Sequence, residues 1–314
     1  MTRALIACLQ MQGCFEVFRP RLEALGIESV LPPVLQQQMT ESDLVPIIGG
    51  FDGMIAGDDH LTARVLAEAG RLRIISKWGI GTDGIDLTAA DRLGIRVTNT
   101  PAVFGDDVAD VAAGYLVMLA RRLHTIDASV KAGGWLKYRG TALSATTLGI
   151  FGLGSIGRAV AQRGMGFGMR VVGYDMSQRS AELAAQQGVQ TVADVNDLFR
   201  AVDFLVLCAP ATPQTRHVVC RETLGVMRER SYVVNVSRGS LVDEEALADA
   251  LESGQIAAAA LDVFEEEPLP LQSRLRGFEQ CIFGSHNGSN TEQGVLRASE
   301  MAVENLIQGL SDPG

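Results

Sequence analysis

The sequence predicts an α/β protein built from two doubly wound parallel-sheet domains. Three observations carry that expectation. Short apolar runs alternate with helically spaced ones through roughly the first hundred residues. A second alternating series begins at residue 147 and runs to about 284, and it opens on a glycine-rich turn between a strand and a helix. Alternation of this kind is the signature of βαβ units, whose strands lie parallel in one sheet. With 314 residues, the chain is long enough for two separate cores.

In the first series the apolar runs at 4–8, 29–31, 53–56, 73–76 and 96–98 are expected as strands. Segments 17–25, 61–69 and 87–93 carry apolar residues at helical spacing between them. A long run, 106–123, follows. Val108, Val111, Ala112, Tyr115, Leu116, Leu119 and Leu123 fall on one stripe of a 3.6-residue period, and Asp106 is placed to cap it. The second series offers strands at 148–151, 170–174, 204–207, 232–236, 257–261 and 281–283. Asp243 opens a helix between two of them and Gly254 closes it. A final helix, 291–310, comes after the second sheet is complete, so it is expected to return to the first domain. No appended regulatory module is expected.

Composition narrows the function. Hydrophobic residues make up 47% and charged residues 20%, the balance of a folded α/β enzyme rather than a disordered chain. A net charge of −10, with no block of Lys and Arg, argues against a nucleic-acid partner. The apolar runs are strand-sized, which argues against a membrane span. Residues 4–8 are too short for a signal peptide core and lack a cleavage site. Cys8, Cys14, Cys208, Cys220 and Cys281 form no C-x-x-C pair, and reduced thiols in a cytoplasmic protein are the economical reading.

The glycine-rich turn reads Gly152-Leu153-Gly154-Ser155-Ile156-Gly157, between an apolar strand and a helical run, and a second strand then ends on Asp175. Each part has its own physical reason. Gly152 permits a tight turn, Gly154 lets backbone approach a pyrophosphate, and Gly157 lets the helix pack closely on the strand. The helix start at Ser155 and Ile156 offers free N–H groups and partial positive charge to an anion. An acid at Asp175 suits the ribose hydroxyls of NAD and repels the 2′-phosphate of NADP. Arg179 raises phosphate tolerance as a possibility, against its reading as a solvated loop cation.

Three later segments bring polar residues to the C-terminal ends of expected strands, the edge at which open α/β sheets bind ligands. Arg238 follows the strand 232–236, Glu267 stands in Glu265-Glu266-Glu267-Pro268, and His286 stands in Gly284-Ser285-His286-Asn287-Gly288. An arginine, an acid and a histidine delivered together can clamp an anion, tune a proton donor and donate the proton. Taken singly, each has a plainer reading as a surface ion pair, a solvated acid or a helix cap.

Through these motifs the chain resembles the D-2-hydroxyacid dehydrogenase family, which includes D-3-phosphoglycerate dehydrogenases. The resemblance covers nearly its whole length, with the motifs in family order. It implies a flavodoxin-like substrate domain, residues 1–100 plus 289–314, with a Rossmann NAD-binding domain, 101–288, inserted into it. It also implies Arg238, Glu267 and His286 as the catalytic set. The turn from Gly79 through Ile80 and Gly81 would hold a substrate carboxylate on backbone N–H groups. Lys77 would add a charge there or be a salt-bridged strand-end lysine. Cys208, Ala209 and Pro210 would pack beside the adenosine, with Cys208 a packing residue and no nucleophile. Val236 and Asp262 would fix the nicotinamide carboxamide, with Ser237 and Gly288 lining the cofactor site. No metal is expected. Trp135 lies in the arm that in this family often crosses to a second subunit, which implies a homodimer, with core packing the equal alternative.

These residues suit hydride transfer between NAD(H) and a 2-hydroxy or 2-oxo acid, with His286 as proton donor. Glu267, a neighbouring carboxylate, favours the imidazolium, and Arg238 stabilises the developing oxyanion. Departures from the family pattern bear on the substrate. Gly284-Ser285-His286 replaces Thr-Pro-His, and Asn287, in place of an apolar residue, is expected to contact substrate or cap the last helix. Asp58 and Asp59, at the end of the third strand, are expected to face the site and disfavour a phosphorylated substrate, whereas Lys77 works the other way. Phosphoglycerate therefore stays open. An NAD(H)-sensing binding protein on the same fold is the alternative reading, and a methyltransferase is a distant third because it has no use for Arg238, Glu267 and His286.

Overall fold

The computed structural model describes residues 1–34 and 37–311. The chain forms two compact units, Met1–Val103 with Asn290–Gly314 and Phe104–Ser289. The first holds a five-stranded sheet: β1 (Thr2–Ile6), β2 (Ile27–Val30), β3 (Gly53–Ala56), β4 (Ile74–Lys77) and β5 (Arg96–Thr98). Its order is β2-β1-β3-β4-β5, with every pair parallel. That is the doubly wound order with a switch between β1 and β3. Leu5, Met54, Ile75, Val65 and Leu66 are buried in its core on one side. The final helix, Glu292–Ser311, packs on β3 and β4 on the other. Leu306 and Ile74 lie so close to Gly53 and Gly309 respectively that a methyl group at either glycine would collide with them.

The second unit holds β6 (Thr147–Phe151), β7 (Arg170–Tyr174), β8 (Gln190–Thr191), β9 (Phe204–Leu207), β10 (Ser231–Asn235), β11 (Ile256–Leu261) and β12 (Ile282–Phe283). The order is β12-β11-β10-β9-β6-β7-β8, again all parallel. From β6 the chain winds outward through β7 and β8, then returns to place β9 on β6's other flank. The strand order therefore reverses between β6 and β9, the place where such sheets open a ligand crevice. The buried Phe199, Leu205, Val233, Leu247 and Leu261 belong to one apolar cluster beneath it.

Several sequence expectations shift in detail. The first strand is Thr2–Ile6 rather than 4–8, although Ala7 and Cys8 are buried. Apolar content follows burial, whereas strand limits follow hydrogen bonding, and here the two part by two residues. The long helix is Gly105–Arg121, and it ends on Arg122 in the left-handed conformation (φ 49°) before a second helix, Leu123–Lys131. Asp106 does not cap it. It lies within the first turn and pairs with Arg163 at 3.2 Å. Asp243 does cap its helix, accepting the N–H of Ala246 at 3.0 Å, and Gly254 closes that helix at φ 80°.

Candidate active site

The glycine-rich turn follows β6 directly, and its geometry explains each glycine. Gly152 has φ 96°, a conformation costly to residues with a side chain, and a Cβ there would lie 2.5 Å from the amide nitrogen of Ala209. A Cβ on Gly157 would lie 1.9 Å from the Gly152 carbonyl oxygen. Gly154 is the opposite case: a Cβ there meets nothing within 4 Å, so the turn keeps open space above its backbone. The helix Ser155–Gly166 starts at this opening, and its first N–H groups, including those of Ser155 and Ile156, have no intrahelical acceptor. Asp175, just past β7, accepts the Leu153 N–H on Oδ2 and the Ser177 N–H on Oδ1, each at 2.7 Å. Its carboxylate is thereby fixed beside the turn. Open backbone, unsatisfied donors and a fixed acid together fit a dinucleotide. Arg179 is exposed on the following helix.

Cys208 donates its N–H to Phe151 O at 2.8 Å, which carries the chain from β9 across the end of β6 to Ala209 and Pro210. Packing around the Cys208 sulfur pushes its thiol up to about 12, so it carries no thiolate at neutral pH. Ser237 donates its hydroxyl to Ala209 O and its N–H to Asn235 Oδ1, and Val236 between them is buried.

The Arg, Glu and His motifs converge at the ends of β10, β11 and β12. A Cβ on Gly239 would fall 1.8 Å from the Phe264 carbonyl carbon, so backbone lies on backbone directly after Arg238. The Arg238 carbonyl accepts from Asn235 Nδ2 at 2.8 Å. Glu267 folds back so that Oε1 accepts the Phe264 N–H at 2.9 Å, and Oε2 lies 2.8 Å from His286 Nδ1. A carboxylate at that distance selects the tautomer that carries its proton on Nδ1 and fixes the orientation of the ring. His286 itself has φ 54°, and its N–H donates to the Asp262 carbonyl at 2.6 Å. Asp262 is buried, and its Oδ2 accepts the Gly288 N–H at 2.8 Å.

In the other unit, β4 ends on Lys77, which is buried, pairs with Asp58 Oδ1 at 3.2 Å and donates to the Trp78 carbonyl at 2.6 Å. It is thus a salt-bridged strand-end lysine. Asp59, expected to face the site, is instead turned into the fold. It is 1% exposed, accepts the N–H groups of Met39 and Gly57, and burial raises its carboxyl above the usual range. In the turn that follows, the Gly79 N–H is committed to Thr100 Oγ1 at 2.8 Å, so Gly79 offers no donor to an anion. Asn99 holds the Ile80 carbonyl at 2.7 Å, and the N–H groups of Ile80 and Gly81 make no hydrogen bond among the described residues. Asn287 is exposed, and the cap of the final helix is Thr291, whose Oγ1 accepts the Gly294 N–H at 2.9 Å. Trp135 is 78% exposed, and core packing is therefore not its role within this chain. Among the described residues no group of three or more His, Cys, Asp or Glu is placed to hold a metal ion.

Two features escaped the sequence reading. Tyr115 donates to Asp262 Oδ1 at 3.3 Å, although its spacing marked it only as core. His217 Nε2 lies 2.6 Å from Glu265 Oε1, a second His–Glu pair whose members stand far apart in the sequence.

Comparison with known proteins points in one direction. Residues 113–288 match the family model described as D-isomer specific 2-hydroxyacid dehydrogenase, NAD binding domain. The chain is 38% identical to a D-3-phosphoglycerate dehydrogenase of Methanocaldococcus jannaschii, over 85% of this chain and 51% of that one. It therefore spans about half the length of that relative. It is 39% identical to a glyoxylate reductase of Aeropyrum pernix, over 79% of this chain and 76% of the other. A D-lactate dehydrogenase structure from Aquifex aeolicus, complexed with NAD and lactic acid, superimposes with a TM-score of 0.85 at 26% identity, over 96% of this chain and 93% of that one.

Proposed function

Since the chain belongs to the D-isomer specific 2-hydroxyacid dehydrogenase family, whose cofactor is NAD, we propose that it interconverts a small D-2-hydroxy acid and its 2-oxo acid. The observation that carries this reading is the 2.8 Å contact between His286 Nδ1 and Glu267 Oε2. NAD supplies the hydride acceptor, or as NADH the donor, at C2 of the substrate. In reduction, His286 Nε2 gives a proton to the carbonyl oxygen, and Glu267 stabilises the imidazolium that must be present beforehand. Arg238 orients the substrate and stabilises negative charge as it develops on that oxygen. Gly152, Gly154, Ser155, Ile156 and Gly157 receive the pyrophosphate, and Asp175 receives the ribose hydroxyls. The free N–H groups of Ile80 and Gly81 are donors of the kind a carboxylate takes.

A substrate without phosphate is favoured. Lys77, the buried cation beside the Ile80 turn, is already balanced by Asp58, so a second strong anion gains little there. NADH oxidation with glyoxylate, hydroxypyruvate and 3-phosphohydroxypyruvate tests this. Turnover of the first two, with the phosphorylated acid at least about tenfold poorer in kcat/KM, is expected. Absence of turnover with all three, despite tight NADH binding, would replace the dehydrogenase reading with that of an NAD(H)-sensing binding protein.

The protein acts as a homodimer in the cytoplasm. Supporting the first point, the helix Leu123–Lys131 buries none of its residues, and Leu136 and Trp135 beyond it are 42% and 78% exposed. Light scattering should give the dimer mass for the natural chain, and a monomer mass at micromolar concentration would refute the assignment. Supporting the second, all five cysteines are free, and no helix among the described residues is long and apolar enough to cross a membrane.

A further inference from the structure

The buried Asp262, just past β11, holds the segment that carries His286 at two points. Its carbonyl oxygen accepts the His286 N–H at 2.6 Å, and its Oδ2 accepts the Gly288 N–H at 2.8 Å. The backbone on both sides of the left-handed His286 is therefore tied to one residue. The remaining carboxylate oxygen, Oδ1, takes the hydroxyl of Tyr115, which reaches it from the helix Gly105–Arg121. Asp262 is 3% exposed and Tyr115 9%, so this contact is made out of water, where an unsatisfied carboxylate oxygen is costly. Burial, reinforced by the charge of Asp262, raises the Tyr115 phenol and keeps it a donor across the working pH range.

Gly284 supplies an independent observation. A Cβ built on it would lie 2.0 Å from Asp262 Oδ1 and 2.6 Å from the Tyr115 hydroxyl. The glycine that begins the Gly-Ser-His segment thus stands where the Tyr115–Asp262 contact fills the space of a side chain. Tyrosine, aspartate and glycine form one packed unit beneath the histidine.

We infer that Tyr115 is a positioning residue, which acts through Asp262 to hold segment 284–288 so that the His286 imidazole stays seated on Glu267. Without the hydroxyl, Asp262 Oδ1 loses its donor and the carboxylate is free to rotate toward other donors. The tie to Gly288 loosens, and the histidine ring loses its fixed distance to Glu267. Part of the significance rests on the role proposed above for His286, but the geometry of the segment does not.

The test is Tyr115→Phe, which keeps the ring and its packing and removes the hydroxyl. In the full-length chain, kcat for reduction of the best 2-oxo acid should fall about tenfold. The solvent deuterium isotope effect on kcat should rise as proton transfer becomes rate-limiting. A second readout needs no turnover. The His286 imidazole, followed by nuclear magnetic resonance in histidine-labelled protein, should titrate about half a unit lower in the variant as its contact with Glu267 loosens. Gly284→Ala should reproduce both effects by driving Asp262 away from Tyr115, and the double variant should be no worse than either single one. Unchanged kcat and an unchanged His286 titration in Tyr115→Phe would overturn the inference. So would fully additive effects of the two substitutions, or a variant that only melts earlier with normal turnover. Should no 2-oxo acid be reduced by the natural chain, the dehydrogenase reading fails, while the titration still decides the role of Tyr115.

Discussion

Gly157 and Gly239 have the same reason for being glycine, although they serve different ends. Each lies against backbone so closely that a single carbon would fall within 2 Å of a main-chain atom. One allows the helix to start over the nucleotide turn, and the other lets Arg238 follow directly after the strand while the Glu267 loop lies against it. Gly157 was readable in the sequence because the glycine pattern of its turn is itself the record of the close approach, whereas Gly239 stands outside any such pattern. His286 and Glu267 were readable as types, but their 2.8 Å contact is a tertiary fact. The burial of Tyr115 was readable but its contact with Asp262 was not: its position in the stripe with Leu116 and Leu119 is what any buried aromatic would show, and periodicity does not register a hydroxyl. The Glu267 assignment carries its own prediction. A carboxylate beside an imidazole favours the protonated ring, and Glu267→Gln removes that charge. Reduction needs the protonated form, so activity in the variant should be lost at lower pH than in the natural chain. The pH dependence of kcat/KM for reduction reads this directly, and superimposable profiles would exclude Glu267 as the residue that tunes His286.

At the scale of elements, signals that act within one turn of chain were the most legible. Asp243 and Gly254 mark the two ends of the helix Glu244–Ser253 as the sequence indicates, because a side-chain cap and a left-handed glycine are local chemistry. Asp243→Ala should cost about 1 kcal/mol by denaturant titration, with the slope of the transition unchanged. A loss below a few tenths would mean that the Ala246 N–H finds another acceptor. Asp106 shows the limit of the same reasoning. It has the residue type of a cap, yet Arg163 from the neighbouring helix claims it, with Asp110, in an ion pair that no local rule reports. The break at Arg122 was equally hidden, since a left-handed arginine between two helical runs carries no signature comparable to glycine.

The molecule as a whole is a chain that leaves one compact unit at Val103 and returns to it at Asn290. Both seams are closed locally. On one side Arg297, in the final helix, donates to the Val103 carbonyl at 3.1 Å. On the other, a Cβ on Gly288 would lie 3.7 Å from the Val108 side chain, so the second unit's first and last segments are neighbours. Residues 104–289 therefore have adjacent ends, an apolar cluster of their own and the whole nucleotide turn. Expressed alone, this segment should fold cooperatively and bind NADH with a Kd within about tenfold of the full chain, measured by fluorescence titration. A molten or insoluble product would show that the first unit is required for its fold.

That pair of neighbouring seams has an evolutionary and a practical consequence. A segment that enters and leaves through one doorway can be lifted out and another set in its place without rethreading the chain around it. Asp175 and His286 travel together in such an exchange, because both lie on the same side of both seams. The Ile80 turn stays behind with its host. Grafting residues 104–289 of one relative into the frame of another would consequently be the direct way to learn which half of the chain chooses the acid.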